Sequence, residues 1–119
     1  MNHFTLLKKK HQKDIYSKLD VLSENISLIK VSCYDYIGYN IYDGDVLIID
    51  KNAPLYDGAK VFVKIQDKEC IKIYRIIGDF AYLQTSFSCI LPVEIGDLKY
   101  EIMGVITNVV RCFSKSMIN

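Results

Sequence analysis

Hydrophobic and polar residues alternate along much of the chain after residue 25, with the two-residue period of β-strands. The clearest alternation places Val61, Val63 and Ile65 opposite Lys60 and Lys64. Segments with this alternation, or with a short continuous apolar run, predict strands over 26–33, 46–50, 59–66, 69–77, 80–85 and 100–113. The run at 46–50 has no polar face, so we expect that strand to be buried on both sides.

Turn-forming residues separate these strands at short intervals. Asp43-Gly44-Asp45, Asp67-Lys68 and Gly78-Asp79 each predict a turn, and Gly104 predicts a bulge or bend within the last strand. Many short strands with closely spaced turns are typical of a mainly-β fold, either a sandwich or a partly open barrel. A short N-terminal helix is predicted over 14–22, because Ile15, Leu19 and Leu22 share one helical face.

The length of 119 residues fits one domain, and no linker composition divides the chain. We predict a flexible basic arm over 1–13, a β domain over 14–113 and a C-terminal tail over 114–119. The arm carries Lys8-Lys9-Lys10, which indicates either a solvated terminus or a contact for an anionic partner. A net charge of +1 gives no general attraction for nucleic acid, so no direct DNA contact is expected from the domain.

Four cysteines are present, at 33, 70, 89 and 112, and none belongs to a C-x-x-C pair. His3 and His11 lie far from them in sequence, so we expect no metal site and no cofactor. No secretion signal or membrane-spanning apolar stretch is evident in the sequence. A cytoplasmic protein with free thiols and no membrane association is the expected class.

Two features could carry chemistry. Lys72 lies mid-strand in an apolar row with Cys70 and Tyr74, where its amino group must reach solvent, find a counter-charge or lose its proton. Taken alone, that residue is an edge or solvent-reaching lysine, and Asp43-Gly44-Asp45 is only a turn. Their order along the chain is more informative than either feature alone.

The segments Leu28–Tyr36 and Ile41–Asp50 together resemble the active-site region of the C-terminal peptidase domains of LexA, UmuD and phage repressors. Members of that family carry a Val-Ser-Gly-x-Ser-Met run, then Ile-x-Asp-Gly-Asp and an apolar strand. The strand around Lys72 looks like the one that carries the family's catalytic lysine, and Tyr100–Ile106 resembles its closing strand. The resemblance covers roughly residues 14–113.

This family cleaves peptides with a serine–lysine dyad, in which a neutral lysine accepts the serine proton. The resemblance assigns the lysine to Lys72, but an ungapped count from Asp43-Gly44-Asp45 places Asp35 at the nucleophile. Cys33 and Tyr36 replace the motif's glycine and methionine. A carboxylate beside Lys72 would keep the lysine charged, so we predict a partly buried Asp35–Lys72 ion pair in place of a dyad.

The family's self-cleaving members cut at Ala-Gly or Cys-Gly, and this sequence contains neither dipeptide. The resemblance therefore implies an inactive, pseudoenzyme-type domain that acts as a homodimer or binds a protein partner. Such a partner would be a repressor-type assembly or a polymerase in the SOS response. Two alternatives remain open: an active peptidase with a rearranged nucleophile, for which Cys33 is a weak candidate, and an unrelated β-barrel binding domain.

Overall fold

The structure is a computed structural model that describes residues 3–7, 24–85, 93–94 and 99–111. Within these ranges eight strands form one antiparallel sheet that curls into an open half-barrel, which confirms the predicted mainly-β fold. The strands are β1 Phe4–Leu6, β2 Ile26–Val31, β3 Val46–Asp50, β4 Ala59–Ile65, β5 Lys68–Ile77, β6 Phe80–Gln84, β7 Val93–Glu94 and β8 Tyr100–Val110, and one 3₁₀ helix, η1, spans Ile37–Tyr39.

The spatial order of the strands is β1-β2-β3-β8-β4-β5-β6-β7. Strand β8 therefore lies between β3 and β4, and it pairs with both in antiparallel register. The β3 strand is buried along nearly its whole length, as its continuous apolar run predicts. The predicted helix over 14–22 and the basic residues 8–13 lie outside the described residues.

Strand β1 differs from the prediction of a flexible arm over 1–13. Phe4–Leu6 pair with β2, with Phe4 opposite Val31. The ring of Phe4 is buried and meets Phe62 edge-on at a centroid separation of 5.0 Å. This packing anchors the strand, because an edge-to-face aromatic pair adds to the gain from burying a large ring.

The main core cluster lies on one face of the sheet and joins both halves of it. Its members come from β1 to β5, β8 and the segment around η1: Phe4, Ile29, Val31, Cys33, Tyr39, Ile41, Leu47, Ile49, Phe62, Ile71, Ile73 and Ile106. Residues that alternate with these along the strands form two smaller buried clusters. One is centred on Val61 and the other on Leu28. Both faces of the central strands are therefore covered.

Gly104 lies at the bulge that the sequence predicts, where the register between β4 and β8 shifts beyond the Phe62–Gly104 pair. A Cβ at this position would lie 2.6 Å from Cγ2 of Ile49 and 3.0 Å from the carbonyl oxygen of Asp50. Glycine is required here because it lets β8 approach β3 closely.

The β4–β5 hairpin turns one residue earlier than predicted. Gln66 and Asp67 both adopt positive φ, at 50° and 66°, and β5 already begins at Lys68. Two consecutive left-handed residues match the twist of the flanking strands in a two-residue hairpin.

Within the described ranges, no helix is long and apolar enough to cross a membrane.

Candidate functional site

The Asp43-Gly44-Asp45 motif forms the turn that the sequence predicts, and it leads directly into β3. Gly44 has a φ of 89°, a left-handed conformation that favours glycine. Its N–H donates to the carbonyl of Val31 at 2.7 Å, and Val31 N–H donates to the carbonyl of Asp45 at 2.8 Å. The motif therefore fixes the end of β2 against the start of β3.

The side chain of Asp45 is almost completely buried and is the anchor of this turn. Its two oxygens accept from Nε and a terminal nitrogen of Arg111, both at 2.9 Å, and one also accepts the N–H of Tyr42 at 2.8 Å. Burial alone would raise the pKa of Asp45, but the Arg111 and Tyr42 hydrogen bonds hold that pKa below its ordinary value. Asp45 is thus a structural carboxylate.

Arg111 contributes to the same anchor in a second way. Its guanidinium lies over the ring of Tyr42, with 4.5 Å between the guanidinium carbon and the ring centroid. The residue directly follows β8, so the bidentate pair ties the end of that strand to the turn before β3. Sequence reasoning missed Arg111, because nothing in its neighbourhood marks a partner 66 residues away.

The loop from residue 32 to 36 carries the predicted nucleophile position and ends in an aromatic anchor. Tyr36 packs between Phe4 and Tyr39, at centroid distances of 5.7 Å and 5.5 Å. Its hydroxyl oxygen accepts the backbone N–H of Ile71 in β5 at 3.4 Å. Burial, chiefly, raises the pKa of Tyr36 to about 12, so its hydroxyl stays neutral at physiological pH.

A groove of about 680 Å³, named the groove from here on, lies between this loop, β1 and the β4–β5 hairpin. It is lined by His3, Phe4, Asp35, Tyr36, the hairpin residues from Lys64 to Cys70, and Lys72. Asp35 and Lys72, the two positions that the family resemblance selects, therefore both face it. The lining charges are mixed, with three lysines and three acidic residues, so no strong field of one sign develops.

The predicted ion pair between Asp35 and Lys72 is not formed. Asp35 has a side chain that is 65% exposed, and its Oδ2 lies 3.5 Å from Nδ1 of His3. Lys72 is half-buried and directs its Nζ to Oγ1 of Thr85 at 3.4 Å. The prediction was wrong because the side chain of Asp35 stays in solvent, where a carboxylate need not find a buried partner.

Lys72 shares its strand face with Cys70 and Tyr74, as the alternation of β5 predicts. Of the three outcomes predicted for its amino group, the structure shows the first: the amino group reaches toward solvent and Thr85, beyond the end of β6. Cys70 also lines the groove, and burial raises the pKa of its thiol despite the nearby charge of Lys72. A thiol with a raised pKa is a poor nucleophile at neutral pH.

His3, Cys33 and Asp35 form a cluster that sequence separation concealed. One nitrogen of His3, the Sγ of Cys33 and one oxygen of Asp35 all lie within 4.8 Å of one another. The backbone N–H of Ser32 donates to the carbonyl of His3 at 2.7 Å, which brings the histidine to the start of the loop. The expectation of no metal site rested on the distance of the histidines from the cysteines, and that argument does not hold for His3.

The thiol of Cys33 is buried in this cluster. Burial, chiefly, raises its pKa, and the carboxylates of Asp35 and Asp43 act in the same direction. The backbone hydrogen bond that the sulfur receives from Asp35 opposes this rise. A buried, neutral thiol does not support the alternative in which Cys33 is the peptidase nucleophile.

A scan against protein-family models gives no match for this chain, and a search of the curated proteins gives none either.

Proposed function

We propose that this chain is a catalytically inactive LexA/UmuD-like domain that acts by binding protein, as a homodimer or with a second partner. The observation that carries the proposal is the composition of the groove. It keeps a lysine, Lys72, at the family position, but Asp35 occupies the place of the serine. No serine or threonine is among the described residues that line the groove, so no aliphatic hydroxyl of that lining is available to attack a peptide.

The groove nevertheless suits a polypeptide better than a nucleic acid. Its mixed lysines and carboxylates can pair with a chain of either sign, whereas a phosphate backbone needs a continuous positive surface. Phe4, Tyr36 and Ile65 add apolar side chains to its lining. These features support binding of a protein segment without its cleavage.

Self-association is the second part of the proposal. Ile77 and Phe80 pair across β5 and β6 next to the Gly78-Asp79 turn, and they are 49% and 58% exposed. Clustered apolar side chains at one end of a sheet are typical of protein interfaces. We assign this end to a second copy of the chain, within a repressor-type or SOS-type regulatory system located in the cytoplasm, where Cys33 and Cys70 stay reduced.

Peptidase activity is tested by intact mass after incubation at alkaline pH, which deprotonates a catalytic lysine. We expect the wild type and a Lys72→Ala variant each to keep the mass of its own intact chain. Neither should react with acylating serine probes. The Asp35→Ser variant should also stay intact, because Lys72 Nζ is directed to Thr85. Lysine-dependent cleavage in the wild type would contradict the proposal and favour the active-peptidase alternative.

Self-association is tested by sedimentation velocity over a range of protein concentrations. We expect a dimer that Ile77→Lys weakens and that Leu6→Lys, at the β1 edge of the sheet, leaves unchanged. The missing contact between Asp35 and Lys72 favours a second candidate, a β-barrel-type binding domain unrelated to LexA. A strict monomer that recovers no protein partner would contradict the LexA-like proposal and support that candidate.

A further inference from the structure

We infer that His3, Cys33 and Asp35 form a binding site for a zinc-class divalent metal ion. The three side chains come from the residue before β1 and from the loop that follows β2. They offer one nitrogen, one sulfur and one oxygen, all within 4.8 Å of one another. This inference does not depend on the proposed function, because it concerns only the attachment of β1 to the loop.

The donor set selects the metal. A cysteine sulfur excludes hard cations such as Mg²⁺ and Ca²⁺, which take oxygen ligands. Imidazole nitrogen, sulfur and carboxylate oxygen together are ligands that Zn²⁺ accepts in tetrahedral sites. Three protein ligands leave a fourth position open, and the exposure of His3 and Asp35 places that position toward solvent, where water can fill it.

The spacing between His3 and Asp35 fits this geometry better than it fits a direct hydrogen bond. Their nitrogen and oxygen are 3.5 Å apart, which is long for a charge-assisted hydrogen bond. Two ligands bound to tetrahedral zinc at about 2.1 Å lie about 3.4 Å from each other, because of the tetrahedral angle. Zinc ligands N and S are about 3.6 Å apart, so Cys33 has to move closer by at most about 1.2 Å to complete the set.

Two backbone hydrogen bonds already hold the ligands in place. Ser32 N–H donates to the carbonyl of His3 at 2.7 Å, and the Asp35 N–H donates to the sulfur of Cys33. Such outer contacts orient metal ligands and restrict their motion. A bound ion would therefore add a second attachment between β1, a three-residue edge strand, and the loop whose Tyr36 packs against Phe4.

Binding is tested with untagged, reduced protein by calorimetric titration with Zn²⁺ and by the absorption spectrum with Co²⁺. We expect one ion per chain, a thiolate-to-cobalt charge-transfer band and the visible bands of tetrahedral cobalt. His3→Gln, Cys33→Ser and Asp35→Asn should each weaken binding roughly tenfold or more, because each removes one of three ligands. Excess Mg²⁺ should not compete.

Two matched variants serve as controls. Cys70→Ser removes the other described cysteine, and His11→Gln removes the other histidine of the sequence; both should bind zinc as the wild type does. Because His3 is 42% exposed, His3→Gln should fold normally even where a Cys33 variant does not. Unchanged zinc binding in His3→Gln, or absence of any binding by the wild type at micromolar zinc, would overturn the inference.

Discussion

Two aspartates ten positions apart in the sequence have opposite environments in this structure. Asp45 is 1% exposed and accepts hydrogen bonds from Arg111 and from the Tyr42 backbone. Asp35 has a side chain that is 65% exposed, and its Oδ2 lies 3.5 Å from Nδ1 of His3. Both belong to the segment that resembles the LexA-type active site, yet only Asp45 accepts hydrogen bonds from several groups within the fold.

This difference separates structure from chemistry within one motif. A carboxylate whose oxygens already accept hydrogen bonds from an arginine and a backbone amide is not available to a ligand. Removal of such a carboxylate destabilises the fold. A carboxylate in solvent contributes little to stability but remains free to bind a ligand. We therefore expect substitutions at Asp45 to change stability and substitutions at Asp35 to change binding.

The largest expected effect is that of Asp45→Ala. The variant loses two hydrogen bonds from Arg111 and one from the Tyr42 backbone, all to a side chain that is almost completely buried. We expect a loss of about 2–3 kcal/mol in the free energy of unfolding, measured by urea denaturation. Asp43→Ala, in the same turn but exposed, is the matched control and should change the midpoint little. Equal effects of the two variants would show that Asp45 is not the anchor.

Acidification should reveal the same anchor with a smaller effect. The folded-state pKa of Asp45 is below its ordinary value of 3.8, so the ionised carboxylate stabilises the fold above that value. This contribution is lost as the pH falls through the lower, folded-state pKa. The stability difference between the wild type and Asp45→Asn should therefore shrink on acidification below pH 3.8.

Asp57 is an internal control for that titration. Its pKa is also lowered, by the N–H of Ile76 and by Arg75, so part of the acid sensitivity must survive in Asp45→Asn. A stability difference between the wild type and Asp45→Asn that stays constant down to pH 2 would contradict the role assigned to the Asp45 charge.

The smallest expected effect on stability is that of Asp35→Ala. Without added metal, the change should stay within about 0.5 kcal/mol, because the carboxylate is largely in solvent. With zinc present, the wild type should gain stability that Asp35→Ala does not, as ligand binding to the folded state requires. Thermal melts with and without zinc measure both quantities. A large metal-free destabilisation would remove the contrast between the two aspartates.

Local pattern was sufficient to locate most strands. The run Val46–Asp50 and the alternating segments around Val61 and Ile73 were predicted within about one residue, because the period of two specifies both a strand and its faces. The Asp43-Gly44-Asp45 turn and the Gly104 bulge were also predicted, since glycine is the residue that such backbone positions require.

Partners distant in sequence could not be predicted in this way. Alternation does not say which strands pair, so the place of β8 and the strand formed by Phe4–Leu6 were missed. For the same reason, neither the Asp45–Arg111 pair nor the proximity of His3 to Cys33 was predicted. The family resemblance selected Asp35 and Lys72, which do face one groove, but it could not show that their charged groups point to different neighbours.

The central position of β8 has a consequence for synthesis of the chain. Strands β1 to β3 and β4 to β7 are made first, and no pairing joins β3 to β4 until Tyr100–Val110 has emerged from the ribosome. Until then, β3 and β4 are unpaired, mainly apolar edges of two half-sheets and can pair with other nascent chains. We therefore expect translation that stops before Tyr100 to produce an aggregation-prone fragment, and completion of a single strand both to close the core and to remove that hazard.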